Sequence, residues 1–327
     1  MSWGIARRSP MPDTRKASQA RRGPRVAIVG AGVVGSVLGR ILVEEGGEVV
    51  AVVSRRLASA RQAGRFVRCR RVSTELSSIP PAAEIVYLTV PHAAIEEVAG
   101  ALALHPGLRF DRLAVCHASG VLTADVLAPL AQRGATTFSF HPLQTFPRTF
   151  TPHRIVPSAR GIFYGVDGSD RGVRMARRLA RSLAGRVVII PPESRVLYHA
   201  ACVVASNHLT TLMAILREMF QGIGSSEHEF FRLFAPIVNA TLENIRQTSP
   251  ADALSGPVAR GGLETVAAHL DAVRSVVPHL MPYYRAVSLE TVRLARAKGS
   301  IDAGQEVALR KLIISRGSEE SLFVESQ

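Results

Sequence analysis

Three glycines at fixed spacing constrain this chain more than anything else in it. Gly30, Gly32 and Gly35 form G-x-G-x-x-G, with Ala31, Val33 and Val34 filling the gaps. The apolar run from Val26 to Val29 predicts a buried strand before them. A helical apolar pattern follows to Glu45, and a second strand is expected from Val49 to Val53. In a strand-turn-helix-strand unit each glycine has a physical task. Gly30 makes the tight turn, Gly32 lets the backbone approach a pyrophosphate, and Gly35 lets helix and strand pack closely. The helix N-terminus then presents unbonded N–H groups to an anion. Dinucleotide binding is the expectation, with Gly30, Ala31, Gly32, Val33, Val34 and Gly35 as cofactor-binding residues; the alternative is a glycine-rich turn with a structural role only.

The end of the second strand selects the cofactor. An NAD site places Asp or Glu about 20 residues beyond the glycines to take the ribose 2′-hydroxyl. Ser54, Arg55 and Arg56 stand there instead. Two guanidiniums can pair with a 2′-phosphate by charge-assisted hydrogen bonds, which an acid would repel. NADP(H) is the expected cofactor, set against the reading of Arg55 and Arg56 as solvated loop charges.

Beyond Arg56 an Arg-rich, weakly patterned segment runs to Pro81 and predicts a short or irregular third strand. EIVYLTVP (84–91) is a strand followed by the amphipathic helix HAAIEEVAGAL. LAVCHASG (113–120) is another, then a helix over 123–132 and the strand TTFSFHP (136–142). GIFYGV (161–166) and RVVIIPP (186–192) bracket an Arg-rich helix and are expected to close the sheet. After Pro191 and Pro192 strand signals cease. Helices are expected over about 193–221, 226–247, 263–277 and 283–298. The fold class is an α/β Rossmann domain, doubly wound with a mostly parallel sheet, followed by an all-α domain. The boundaries predicted are a disordered basic tail over 1–23, the Rossmann domain over 24–190, the helical domain over 191–313 and a flexible tail over 314–327. Met11 is an alternative start.

The chain carries 40 Lys and Arg against 26 Asp and Glu, a net charge of +14. In the tail Arg7, Arg8, Arg15, Lys16, Arg21 and Arg22 face only Asp13. The segment with Arg174, Arg177, Arg178 and Arg181 has Met175, Leu179 and Leu183 as an apolar stripe, so it reads as a solvated face. With no recognised nucleic-acid motif, no nucleic-acid partner is expected. No unbroken apolar run approaches the ~18 residues of a membrane helix, so no membrane partner is expected either. Cys69, Cys116 and Cys202 lack metal-like spacing and leave one unpaired, which suggests a reducing, cytoplasmic setting and no metal.

In open α/β sheets ligands lie beyond the carboxyl ends of the strands. The ends here hold Val90, Pro91 and His92, then His117, Ser119 and Gly120, then His141 and Pro142. Val90, Pro91 and Ser119 are expected at the cofactor and His141 at the substrate. On the helix starting near 193, Ser206 and Thr210 fall about 20° to either side of His199 and Asn207 about 80° away, an unusual polar stripe. An unpartnered buried polar group costs about 1 to 3 kcal/mol, so the stripe must meet polar groups, water or a ligand. The expected roles are His199 as proton donor, Asn207 as orienting amide and Ser206 as a substrate contact; an interhelical hydrogen-bond network is the alternative. Gly256, Pro257, Arg260, Gly261 and Gly262 form a turn into a helix, read as a carboxylate or phosphate site anchored by Arg260, and His269 lies beside the apolar stripe of that helix.

These residues resemble the NADP-dependent oxidoreductases that join a Rossmann-like domain to a C-terminal domain of unknown function, within the 6-phosphogluconate dehydrogenase-like and ketopantoate reductase-like group. The resemblance covers about residues 24 to 313 and rests on VGAGVVG, LTVPHAAI, CHASG, SFHPLQTF, YHAACVVASN and SGPVARGG followed by His269. It implies NADPH at the three glycines and substrate contacts by His141, His199, Asn207 and Arg260. The wider group uses a Lys and an Asn on the helix that here has no Lys; His199 stands two turns from Asn207 in its place. Where the family tends to an acid after the Arg-Gly of the turn, this chain has Gly262. The function expected is NADPH-dependent reduction of a small 2-keto acid or related carbonyl or imine, with a carboxylate substrate and a homodimer. The rivals are an NADP-binding sensor without catalysis and a metal enzyme using His117, His141 and His199.

Overall fold

The computed structural model describes residues 23–224 and 227–315. The basic tail up to residue 22, the alternative start at Met11 and residues 316–327 of the expected C-terminal tail lie outside the described residues. Two compact units divide between Ser206 and Asn207.

In the first unit β1 (Arg25–Val29), β2 (Glu48–Val53), β3 (Val72–Ser73), β4 (Ile85–Leu88), β5 (Ala114–His117) and β6 (Thr136–Ser139) form one sheet in the order β3-β2-β1-β4-β5-β6, every pair parallel. The order in which strands are added switches sides between β1 and β4, the crevice position of a doubly wound fold. The strands read as continuous apolar runs because both faces are covered. Val26 and Ile28 of β1 enter the core shared with α1 (Val33–Glu44), α2 (Leu57–Phe66) and α6 (Asp170–Arg181). Ala27 and Val29 face the opposite core, with α3 (Ile95–Ala103) and α4 (Ala128–Gln132). The expected short third strand is the two-residue β3.

The sheet does not close as the sequence suggested. Phe140 separates β6 from β7 (His141–Pro142), and β7 pairs antiparallel with β8 (Phe163–Val166), which pairs parallel with β9 (Arg186–Ile189) in a separate three-stranded sheet. The ladder is interrupted where β6 ends, and a single bridge from Phe138 to Gly168 ties the two sheets. The stacked rings of Phe140 and Tyr164, centroids 4.2 Å apart and both fully buried, fill the join. In the connection from β7 to β8, α5 (Pro152–Ile155) packs against α1.

The helix expected over 193–221 is also modified. It runs as α7 (Arg195–Val203), a π turn (Val204–His208) and α8 (Leu209–Gly222). A π turn closes over one more residue than an α turn, so a constant 100° step does not carry from His199 to Asn207 or Thr210. By length and composition the stretch Pro192–Gly222 could cross a bilayer, with mean hydropathy 1.3 in its most apolar window. It is apolar on average only, since His199, Ser206, Asn207, His208, Thr210 and Thr211 interrupt it.

The second unit holds α8, α9 (Glu227–Gln247), α10 (Pro250–Ala253), α11 (Leu263–Val276), α12 (Met281–Lys298) and α13 (Ala303–Ser315). Its core gathers Val266, Leu270 and Val273 of α11, Val292 and Ala295 of α12, and Leu309 and Ile313 of α13. The last helix was not expected from the sequence. Gly299, at φ +76° in the left-handed region, ends α12 and turns the chain toward it.

Candidate functional site

The glycine turn opens onto a cavity of about 1740 Å³ lined by Gly30, Ala31, Gly32, Val33 and Val34, by Ser54, Arg55 and Arg56, and by Thr89, Val90 and Pro91. Gly30 has φ +114°, and a Cβ there would lie 2.6 Å from the backbone of Thr89. Thr89 in turn donates from Oγ1 to Gly30 O at 2.8 Å. Gly35 does not line the cavity. A Cβ on it would lie 2.4 Å from Gly30 O and 2.5 Å from Thr89 Oγ1, so its role is to let α1 close on the turn. Gly32 differs from both, because a Cβ there would meet no protein atom within 4 Å. Packing does not demand a glycine at this position; a ligand lying on the backbone would. Gly32 is the N-cap of α1, with no side-chain cap and no acid in the first turn, which leaves the positive end of the helix open to an anion.

Arg55 and Arg56 are exposed at the end of β2 on the cavity wall. Among the described residues neither has an acidic partner. Sequence reasoning missed the rest of this wall. Ser59, Gln62 and Phe66 line it from α2 at helical spacing, and Arg65 stands beside them. That periodicity was available in the sequence. The other side is Phe146, Arg148, Thr149 and Phe150 from the loop after β7, a segment with no periodic signal. Arg154 lies over the Phe150 ring, 4.1 Å from its centroid.

A second group of residues gathers at the ends of β5 and β7. His117 is fully buried and both its nitrogens are used: Nδ1 accepts from the Ser119 N–H at 3.2 Å and Nε2 donates to Thr123 O at 3.0 Å. Burial lowers its pKa to about 4. It organises the loop and is not free to ligate. Ser119, expected at the cofactor, lies outside the cavity lining. Its Oγ accepts from the N–H groups of Val121 and Leu122 and its carbonyl accepts from Arg195, so the loop itself consumes its polar atoms.

His141 lies in the same group, its Nδ1 2.9 Å from the Tyr198 hydroxyl. Burial first, then the charge of Arg195, lowers its pKa to about 4. His199 stands beside it, ring centroids 6.1 Å apart. Tyr198 and His199 come from α7, whose start is tied down by Arg195. That guanidinium is 1% exposed, donates from Nη1 to Gly165 O at 3.3 Å and from Nη2 to Ser119 O at 2.8 Å. Its Nε is 3.3 Å from Asp167 Oδ2, close enough for an ion pair though not aligned as a hydrogen bond. Asp167 also accepts from the Ala124 N–H and from Ser139 Oγ, both at 2.6 Å. Neither Tyr198 nor the Arg195–Asp167 pair was singled out in the sequence.

Among the described residues no group of three His, Cys, Asp or Glu is placed to hold a metal. Ser206 donates to Cys202 O at 2.9 Å along its own helix. Asn207 and Arg260 belong to the second unit. Asn207 O accepts from Thr211 Oγ1. In the turn at 256–262 the N–H groups expected to face an anion are bonded internally: those of Arg260 and Gly262 to Pro257 O, and that of Gly261 to Val258 O. The turn still offers the exposed Arg260 side chain, and the uncapped start of α11 follows it. His269 pairs with the Tyr284 hydroxyl at 3.1 Å.

A Rossmann-like domain model matches residues 10–142, and a model of a domain of unknown function, DUF2520, matches residues 162–291. Among solved structures, a Bacteroides fragilis protein provisionally assigned as an NADP oxidoreductase superposes with a TM-score of 0.64 at 21% identity, covering 83% of this chain and 99% of its own. A Thermotoga maritima protein gives 0.64 at 22%, covering 84% and 99%. A reductive aminase from Aspergillus terreus, solved with NADPH and ethyl-5-oxohexanoate, gives 0.52 at 16%, covering 91% and 94%. These likenesses establish a shared fold. No curated protein sequence matches significantly.

Proposed function

The chain carries a Rossmann-like domain followed by a DUF2520 domain, and from that premise we propose that it is an NADPH-dependent oxidoreductase reducing the carbonyl or imine of a small molecule. The observation that carries the reading is the cavity itself: an open helix N-terminus over Gly32 at one point of its wall and two acid-free guanidiniums, Arg55 and Arg56, at another. The first suits a pyrophosphate and the second a ribose 2′-phosphate. The NADPH in the A. terreus reductive aminase supports the choice of cofactor, and the ester ketone in that structure supports a carbonyl as the reacting group.

NADPH held at the Gly32 helix start and by Arg55 and Arg56 would supply hydride chemistry to the carbonyl or imine carbon. The protein must then place a hydrogen-bond donor and a proton source at the oxygen or nitrogen, where charge develops. His141, Tyr198 and His199 provide such groups at the strand ends. His199 is the proposed proton donor, His141 the proposed contact to the reacting atom. A 2-keto acid of ketopantoate type is the proposed substrate class. A homodimer goes with this proposal: Val196 and Leu197 on α7 are 68% and 76% exposed in the single chain, and light scattering measures whether a second copy covers them.

Titration with NADPH and NADH by calorimetry, followed by absorbance assays of cofactor oxidation with a panel of keto acids, ketones and ketone–amine pairs, tests the reading. Tight NADPH binding with turnover that His199→Ala abolishes is the expected result. Tight binding with no turnover on any member of the panel turns the reading to an NADP-responsive sensor, and no binding removes it.

A further inference from the structure

Two glycines mark the group at the strand ends as built to shape. A Cβ on Gly165 would lie 2.4 Å from the Tyr198 hydroxyl oxygen. A Cβ on Gly120 would lie 2.5 Å from Cδ2 of His199 and 3.0 Å from Nε2 of His141. Neither contact is tolerable for a real side chain, so the absence of side chains at 120 and 165 is what allows the three rings to sit where they do. Nothing in backbone dihedrals explains it, since neither glycine has positive φ. Arg195, pinned by Asp167 and by the carbonyls of Gly165 and Ser119, fixes the helix turn that carries Tyr198 and lies 5.6 Å from its ring centroid.

We propose that Tyr198 is a positioning residue: its hydroxyl donates to Nδ1 of His141 and so fixes the imidazole as the Nε2–H tautomer, which presents a neutral hydrogen-bond donor to the oxygen or nitrogen of the group being reduced. The role of the donor rests on the reductase reading; the choice of tautomer does not. The direction of the bond follows from the chemistry of the pair. Burial keeps the phenol protonated by raising its pKa and keeps the imidazole neutral. A neutral imidazole has one donor and one acceptor nitrogen. If Nδ1 carried the proton, the half-buried phenol would have only the neighbouring Cys202 sulfur, a weak acceptor, or water for its own. Donation to Nδ1 satisfies both groups. Nε2 then carries the proton, has no hydrogen-bond partner among the described residues, and is not one of the sealed unpartnered polar atoms. His117 shows the contrast, since its Nε2 is spent on Thr123 O.

The test is ¹⁵N NMR of protein labelled at the imidazole nitrogens, with His141→Gln to assign the resonances, together with steady-state kinetics. The wild type is expected to show His141 with Nδ1 bare and Nε2 protonated. In Tyr198→Phe the two tautomers should mix, and kcat should fall roughly 10- to 100-fold while the NADPH Kd stays within about twofold. A wild-type His141 protonated at Nδ1 overturns the proposal, as does a Tyr198→Phe protein with an unchanged tautomer. Because the spectrum is read without substrate, it decides the tautomer even if no reductase activity is found; and if Tyr198→Phe does not fold, the wild-type spectrum still does so.

Discussion

The Arg195 guanidinium and the Asp167 carboxylate, 1% and 2% exposed at their side chains, stand 3.3 Å apart and join the first turn of α7 to the residue that follows β8. Each also bonds elsewhere: Arg195 to two carbonyls, Asp167 to a backbone N–H and a hydroxyl. The pair is thereby a fixed point from which Tyr198 and His199 are hung.

Breaking a buried pair leaves an uncompensated charge, which costs about 3–5 kcal/mol. Arg195→Met is expected to lose stability of that order, measured by urea denaturation. Asp167→Asn keeps an oxygen for the Ala124 N–H but leaves the Arg195 guanidinium as the uncompensated buried charge, so a loss of the same order is expected.

Gly120→Ala and Gly165→Ala insert a methyl into space that the rings occupy. Both variants are expected to bind NADPH as the wild type does and to lose turnover at least tenfold, since displacing a catalytic group by about 1 Å can cost 10²-fold. Turnover unchanged in Gly120→Ala would separate the His141–His199 group from the chemistry.

Arg55 and Arg56 should set the choice between NADPH and NADH. A hydrogen bond to a charged group contributes about 1.5–3 kcal/mol, so replacing either with Ala is expected to weaken NADPH roughly 10- to 100-fold and to leave NADH nearly unchanged. Calorimetry with both cofactors checks it.

His117 and His141 make stability depend on pH. Each titrates at about 4 in the folded protein, below the ordinary 6.5, so as pH falls the unfolded chain takes up the protons first. Stability is complete above pH 6.5 and declines between 6.5 and 4, on the order of 3 kcal/mol for each histidine. Urea midpoints measured across that range should fall with pH, and His117→Gln should flatten the slope.

The sequence by itself determined the glycine turn, the strand-helix alternation of the first unit and the main helices of the second. These are local signals: apolar periodicity records which faces are buried, and a glycine records where backbone must turn or approach. Ser54, Arg55 and Arg56 were legible for the same reason, standing at the end of a strand whose position the glycines fix. Only the tertiary structure decided that β7, β8 and β9 leave the main sheet, because a strand's residues declare that it is buried but not which strand it pairs with. It also decided that Ser119 and His117 are spent on the loop, that the N–H groups of Arg260, Gly261 and Gly262 bond to carbonyls of their own turn, and that a π turn resets the face of the helix beyond Val204. The group of Arg195, Asp167, His141 and Tyr198 was hidden most completely. Its members lie up to 57 residues apart and meet only because Gly120 and Gly165 leave room for rings brought in by a different element. No pattern in the chain records such long-range packing.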